Sequence, residues 1–96
     1  MRICIISPDA SHDLDEIFDY LVSNNIEAGE RFVISFEQKC AKQLQFPKIG
    51  RSYQELETSL RGVPLAHYII LYRLRDENIE IVRVVSGYRD LDNLFE

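Results

Sequence analysis

The sequence predicts an α+β fold in which an N-terminal helical hairpin packs on one face of an antiparallel sheet. Two observations predict it. Apolar residues recur at helical spacing from Leu14 to Leu44, and the pattern then changes to short β-branched runs separated by turn residues. At 96 residues the chain is expected to form one domain around one core.

The elements follow in order. Arg2 to Ile6 is short and β-branched and reads as a strand. Ser7-Pro8-Asp9 is a helix start: a capping hydroxyl, a proline at the first helical position, and an acid at the positive end of the dipole. Leu14, Ile17, Phe18 and Leu21 then make one apolar face of a helix ending near Asn24. Asn25 is placed to cap a second helix, whose stripe is Ala28, Phe32, Phe36, Cys40 and Leu44, and which Pro47 and Gly50 stop. So short a turn makes the helices an antiparallel hairpin.

Beyond a loop over residues 50–58, Leu60 to Leu65 reads as a strand that Gly62 and Pro64 weaken, placing an edge at that end. Tyr68 to Arg75 and Ile79 to Val85 are two more strands, with Asp76-Glu77-Asn78 as hairpin loop. The order is β-α-α-β-β-β. Leu14, Ile17, Phe18, Leu21, Phe32, Phe36, Leu44, Ile70, Tyr72, Val82 and Val84 form the expected core. A three-residue loop pairs Arg75 with Ile79 and turns Val82 and Val84 to the core, whereas a two-residue loop exchanges one strand's face. Leu91, Leu94 and Phe95 of the tail are expected to anchor it onto the body. Gly62 is assigned to a bulge and Gly87 to the strand exit.

Composition bounds the function. Hydrophobic residues at 46% and charged residues at 28% describe an ordinary globular chain and exclude a disordered one. No apolar run approaches the roughly 18 residues of a membrane span, and Ile3 to Ile6 is too short for a signal-peptide core. No membrane association and a cytoplasmic location are therefore expected. Cys4 and Cys40 could pair, but each lies in an apolar pattern, away from any metal-ligand spacing, and buried free thiols are the expectation, with no metal and no cofactor. The net charge of −5 argues against direct nucleic-acid binding by the whole surface. Between Ile3 and Glu30 there are seven acids and no Lys or Arg. From Arg51 onward every basic residue is arginine. His12 and His67 read as solvated or structural, and Arg73 and Arg83 as ion-pair partners of a helix acid or of the tail, for instance Asp90.

Several segments carry a resemblance to the RelE/ParE toxin superfamily. Asp13-Leu14-Asp15-Glu16-Ile17 with Tyr20-Leu21 resembles the opening helix of ParE chains. Ala28 to Phe32, Phe46-Pro47-Lys48-Ile49-Gly50-Arg51, Leu60-Arg61, Leu71-Tyr72-Arg73 and Ile79 to Val85 resemble later family segments in the same order. The closing Gly87-Tyr88-Arg89-Asp90-Leu91 with Leu94-Phe95 favours the ParE branch. Ser86 stands where many ParE-like chains have His.

The resemblance implies a RelE/ParE-like fold and the toxin of a type II toxin–antitoxin system, neutralised by a cognate antitoxin. The ParE branch implies inhibition of DNA gyrase by protein contact, without a catalytic group. The RelE alternative is a ribosome-dependent, metal-independent mRNA endoribonuclease. It would draw on Arg61, Arg89 and Tyr88, but Phe95 and Ser86 replace the Tyr and His that such chains offer as acid or base. A non-toxic, antitoxin-binding relic is the third reading. Arg61, Tyr88, Arg89, Asp90 and Phe95 are the expected target-binding residues. Asp15, Asp19, Glu30 and Glu37 are the expected antitoxin-binding residues.

Overall fold

The computed structural model describes residues 2–87. Its elements are β1 (Cys4–Ile6), α1 (Pro8–Asn24), α2 (Ile26–Gln45), β2 (Arg51–Ser52), β3 (Arg61–Leu65), β4 (Tyr68–Arg75) and β5 (Asn78–Ser86). Both helix starts are capped as the sequence implies. Ser7 Oγ accepts from the Ala10 amide at 3.0 Å, and Asn25 Oδ1 accepts from the Glu27 amide at 2.9 Å. Asn25 is extended, at φ −163°, so one residue ends α1 and starts α2, and the helices fold back on each other.

Among the described residues the sheet has five strands in the order β1-β5-β4-β3-β2. β3, β4 and β5 pair antiparallel in succession as expected, while the expected loop over 50–58 also supplies the two-residue strand β2, antiparallel to β3. β1 adds to the far edge parallel to β5, Cys4 opposite Ile79, so the sheet is mixed. A parallel partner needs a long connection, and here the helical hairpin and then β2, β3 and β4 lie between β1 and β5. β2 pairs only with Arg61 and Gly62, which leaves the Pro64 end of β3 as an edge.

The β4–β5 turn differs from the three-residue expectation. Arg75 pairs with Asn78, leaving two loop residues, Asp76 and Glu77, both at positive φ (52° and 73°). That is the primed-turn geometry that matches strand twist. Pairing then slips: Leu71 faces Arg83 but Tyr72 faces Ile81, so Val82 is the extra residue of a bulge. The bulge changes which residues face the helices. Ile79 and Ile81 point there before it and Val84 after it. Val82 is the correction: it packs on the opposite face.

Two apolar clusters result. The main one joins Ala10, Ile17, Phe32 and Phe36 to Val63, Leu65, Ile70, Tyr72, Ile79, Ile81 and Val84, with Leu14, Leu21 and Leu44 half-buried against it. Phe18, expected inside, is 38% exposed at the hairpin's rim. The second cluster holds Tyr53, Leu60, Ile69, Leu71 and Val85 on the other sheet face, where the 53–60 segment covers it. Gly62 makes no bulge. It pairs in register with Leu71, and a Cβ there would come 2.7 Å from the Tyr53 ring. Gly87 does leave the strand in the left-handed region, at φ +66°.

Candidate functional site

The hairpin's outward face is the first candidate surface. α1 and α2 lie close because Gly29 leaves room: a Cβ there would sit 2.5 Å from a Val22 methyl and 3.3 Å from the Phe18 ring. Beside that contact runs a groove of about 290 Å³, lined by Leu14, Asp15, Phe18, Phe32, Val33 and Phe36. Val33 and Phe18 expose over a third of their surface, and Ile34 and Tyr20 more than half. Asp15, Asp19, Glu30 and Glu37 are all exposed on the same two helices. An apolar floor with an acidic surround suits an amphipathic segment carrying basic side chains.

The second candidate lies at the sheet end where β5 leaves. Tyr20, Arg31, Phe32, Leu65, His67 and Tyr68 line a cavity of about 410 Å³ there. Phe32 meets Tyr68 edge-on, centroids 5.7 Å apart, and so ties α2 to β4. His67 is exposed in the β3–β4 turn, and its carbonyl accepts from the Gly87 amide at 3.1 Å. Ser86 ends β5 opposite Tyr68.

The strand arginines hold structure. Arg83 makes a two-pronged contact with Asp13 of α1, Nε to Oδ2 at 2.7 Å and Nη2 to Oδ1 at 3.0 Å. The same carboxylate accepts from the Val84 amide at 3.0 Å. β1 has ended at Ile6, so the start of α1 stands in for the missing strand: Ser7 Oγ donates to the Val82 carbonyl and Asp13 receives the Val84 amide. Arg73 pairs with Glu80 and Glu57, and Arg75 with Glu80. The Arg73 hydrogen bond, more than the opposing burial, holds the Glu80 carboxyl below its ordinary range. These pairs are the helix-acid pairing expected for Arg83, and a strand and loop pairing for Arg73.

Arg61 is half-buried at the start of β3. Its Nη1 donates to the carbonyls of Gly50 (2.8 Å) and Lys48 (3.3 Å). Tyr72 works on the same loop: its hydroxyl donates to the Pro47 carbonyl and accepts from the Gly50 amide, both at 2.9 Å. Burial pushes the Tyr72 hydroxyl up, against the Gly50 amide and Arg61, which keeps it protonated as a donor. Arg61 and Tyr72 therefore clamp residues 47–50 and hold Phe46 and Ile49 half-exposed at the end of α2.

A sequence model of the "ParE toxin of type II toxin-antitoxin system, parDE" matches residues 4–91. The chain belongs to the ParE toxin family. Toxin ParE3 of Caulobacter vibrioides is 29% identical over 82 residues, covering 84% of this chain and 82% of its own. Toxin ParE1 of Mycobacterium tuberculosis is 26% identical over 90 residues, covering 92% of each. A solved chain of the chromosomal ParDE TA system from P. aeruginosa, 21% identical, has the same fold, with TM-score 0.74 over 92% of this chain and 98% of that one.

On this ParE fold the four expected antitoxin-contacting acids lie on one helical hairpin, Asp15 in the groove wall. Of the expected target-binding set only Arg61 lies within the described residues; Tyr88, Arg89, Asp90 and Phe95 lie outside them, as do the expected anchors Leu91 and Leu94. Sequence reasoning missed Asp13 as the residue that completes β5, and missed Tyr72 as a clamp. Among the described residues no group of three or more His, Cys, Asp or Glu is arranged to hold a metal, and no helix is long and apolar enough to cross a membrane.

Proposed function

We propose that this ParE-family chain is a cytoplasmic toxin that inhibits DNA gyrase by protein–protein contact and is neutralised by a cognate antitoxin. The observation that carries the reading is the family match across residues 4–91, joined to a structure whose polar side chains serve as binding and positioning groups. Arg61, Tyr72, Arg73 and Arg83 each bond an internal partner. The target contacts are assigned to Tyr88, Arg89, Asp90 and Phe95 of the C-terminal sequence, together with Arg61. Tyr and Arg are the residue types that most often carry interface energy.

The antitoxin is assigned to the hairpin groove. Its C-terminal segment folds on binding, sets apolar side chains between Phe18 and Val33, and places basic ones against Asp15, Asp19, Glu30 and Glu37. Expression of the chain alone should slow growth, and co-expression of the neighbouring gene should restore it. A translation extract distinguishes the reading from the ribonuclease one. Translation should stay intact, and mRNA cut at the ribosomal A site would overturn the gyrase assignment. Arg89→Ala should lower toxicity while thermal stability and antitoxin binding hold; joint loss of all three would make Arg89 a structural residue instead.

A further inference from the structure

The chain has two cysteines, 36 residues apart in sequence, and the fold brings them together. Cys4 opens the edge strand β1, and Cys40 lies on α2 over the end of the sheet. The Cys4 thiol donates to the Cys40 carbonyl oxygen at 3.9 Å, which sets the two cysteines side by side. Both are unpaired and half-buried rather than buried, so small solutes reach them. Two cysteines brought side by side from two elements meet the first requirement for a disulfide.

We propose that Cys4 and Cys40 are a peroxide-responsive thiol pair whose disulfide pins the edge strand β1 to helix α2. The two thiols are unequal, as such chemistry requires. The neighbouring Cys40 side chain lowers the Cys4 thiol below its ordinary range, more than burial raises it. The neighbouring Cys4, burial and the Glu37 charge push the Cys40 thiol up. Cys4 is thus the attacking sulfur and Cys40 the resolving one. The Cys4 thiolate attacks hydrogen peroxide, the O–O bond breaks, and hydroxide leaves, giving a sulfenic acid. The Cys40 sulfur then attacks the Cys4 sulfur. The S–S bond forms, the S–O bond breaks, and the departing oxygen leaves with the Cys40 proton as water. Two thiols and one peroxide give one disulfide and two waters.

The consequence is mechanical. β1 has three residues, lies at the sheet edge and exposes Ile5 and Ile6, with Ile3 exposed just before it. It is held through β5 alone in the sheet. A covalent tie to α2 closes a long loop in the unfolded chain and stops the edge from peeling away.

The test uses the full chain, purified reduced, then treated with stoichiometric hydrogen peroxide. Intact mass should fall by two hydrogens, and peptide mapping should find Cys4 joined to Cys40 within one chain. The Tm should rise on the order of 10 °C and return on reduction by dithiothreitol. Cys4→Ala and Cys40→Ser should each keep the reduced protein's fold and lose the peroxide-induced shift. Separate sulfinic acids, a link between two chains, unreacted thiols, or a crosslink that leaves Tm unchanged would each overturn the proposal.

Discussion

Asp13 is the most informative position for stability, because one side chain completes both a strand and an ion pair. Its side chain is 11% exposed and that of Arg83 32%. Asp13→Ala removes the acceptor for the Val84 amide and both bonds from Arg83. An unsatisfied amide costs about 1–3 kcal/mol. Breaking a fully buried ion pair costs about 3–5 kcal/mol, but Arg83 is one-third exposed and regains water, so about 1 kcal/mol is its share. The total is about 2–4 kcal/mol, a large part of the stability of a domain this size. The corresponding fall in Tm is on the order of 10–30 °C. Asp13→Asn keeps an oxygen for Val84 and should cost about half as much. Urea unfolding of the three proteins, followed by circular dichroism, measures both differences. A loss below about 0.5 kcal/mol for Asp13→Ala would refute the idea that α1 substitutes for a strand beside Val84.

Three further outcomes are expected. Tyr72→Phe leaves the Gly50 amide and Pro47 carbonyl without their shared hydroxyl and should cost about 2 kcal/mol, with faster hydrogen exchange at Gly50 as its local signature. Glu80 has its folded pKa depressed below its ordinary 4.5, so its contribution is complete above that value and is lost as pH falls through the folded pKa; Glu80→Gln should flatten the acid limb of a stability–pH curve and leave its neutral part parallel to the parent's. Val33→Glu puts a charge on the groove's apolar floor and should weaken antitoxin binding by about tenfold or more while toxicity persists, measured by titration calorimetry and growth.

The helices were legible because their signals are local. Ser7-Pro8 and Asn25 announce caps, and the Leu14–Leu21 and Phe32–Phe36 spacing fixes which face goes inward. Phe18 fits that spacing yet sits at the rim, since periodicity gives a direction and not the width of the opposing sheet. The antiparallel pairing of β3, β4 and β5 was legible from their short connections, but the partner of β1 was not. The parallel pairing of Cys4 with Ile79 joins residues far apart in sequence, and no local pattern encodes it. The Asp76-Glu77 turn adopts two positive φ values without the glycine that usually signals them. The Val82 bulge then returned Val84 to the core although the turn was shorter than expected, so one expected core residue survived through a compensating irregularity. The second cluster around Tyr53 and Leu60 escaped because the loop that forms it has no period. At the candidate site the acids of the hairpin were visible as a run without Lys or Arg. The contact of Cys4 with Cys40 was not visible, because it follows from the parallel edge strand.

The most direct measurement is a supercoiling assay with purified gyrase, relaxed plasmid, ATP and the purified chain, run with and without the cognate antitoxin. The account predicts that supercoiling falls as the chain is added, that linear cleaved DNA accumulates, and that antitoxin restores activity. Supercoiling that proceeds unchanged at excess chain, while the same preparation stops growth or cuts ribosome-bound mRNA, would contradict it.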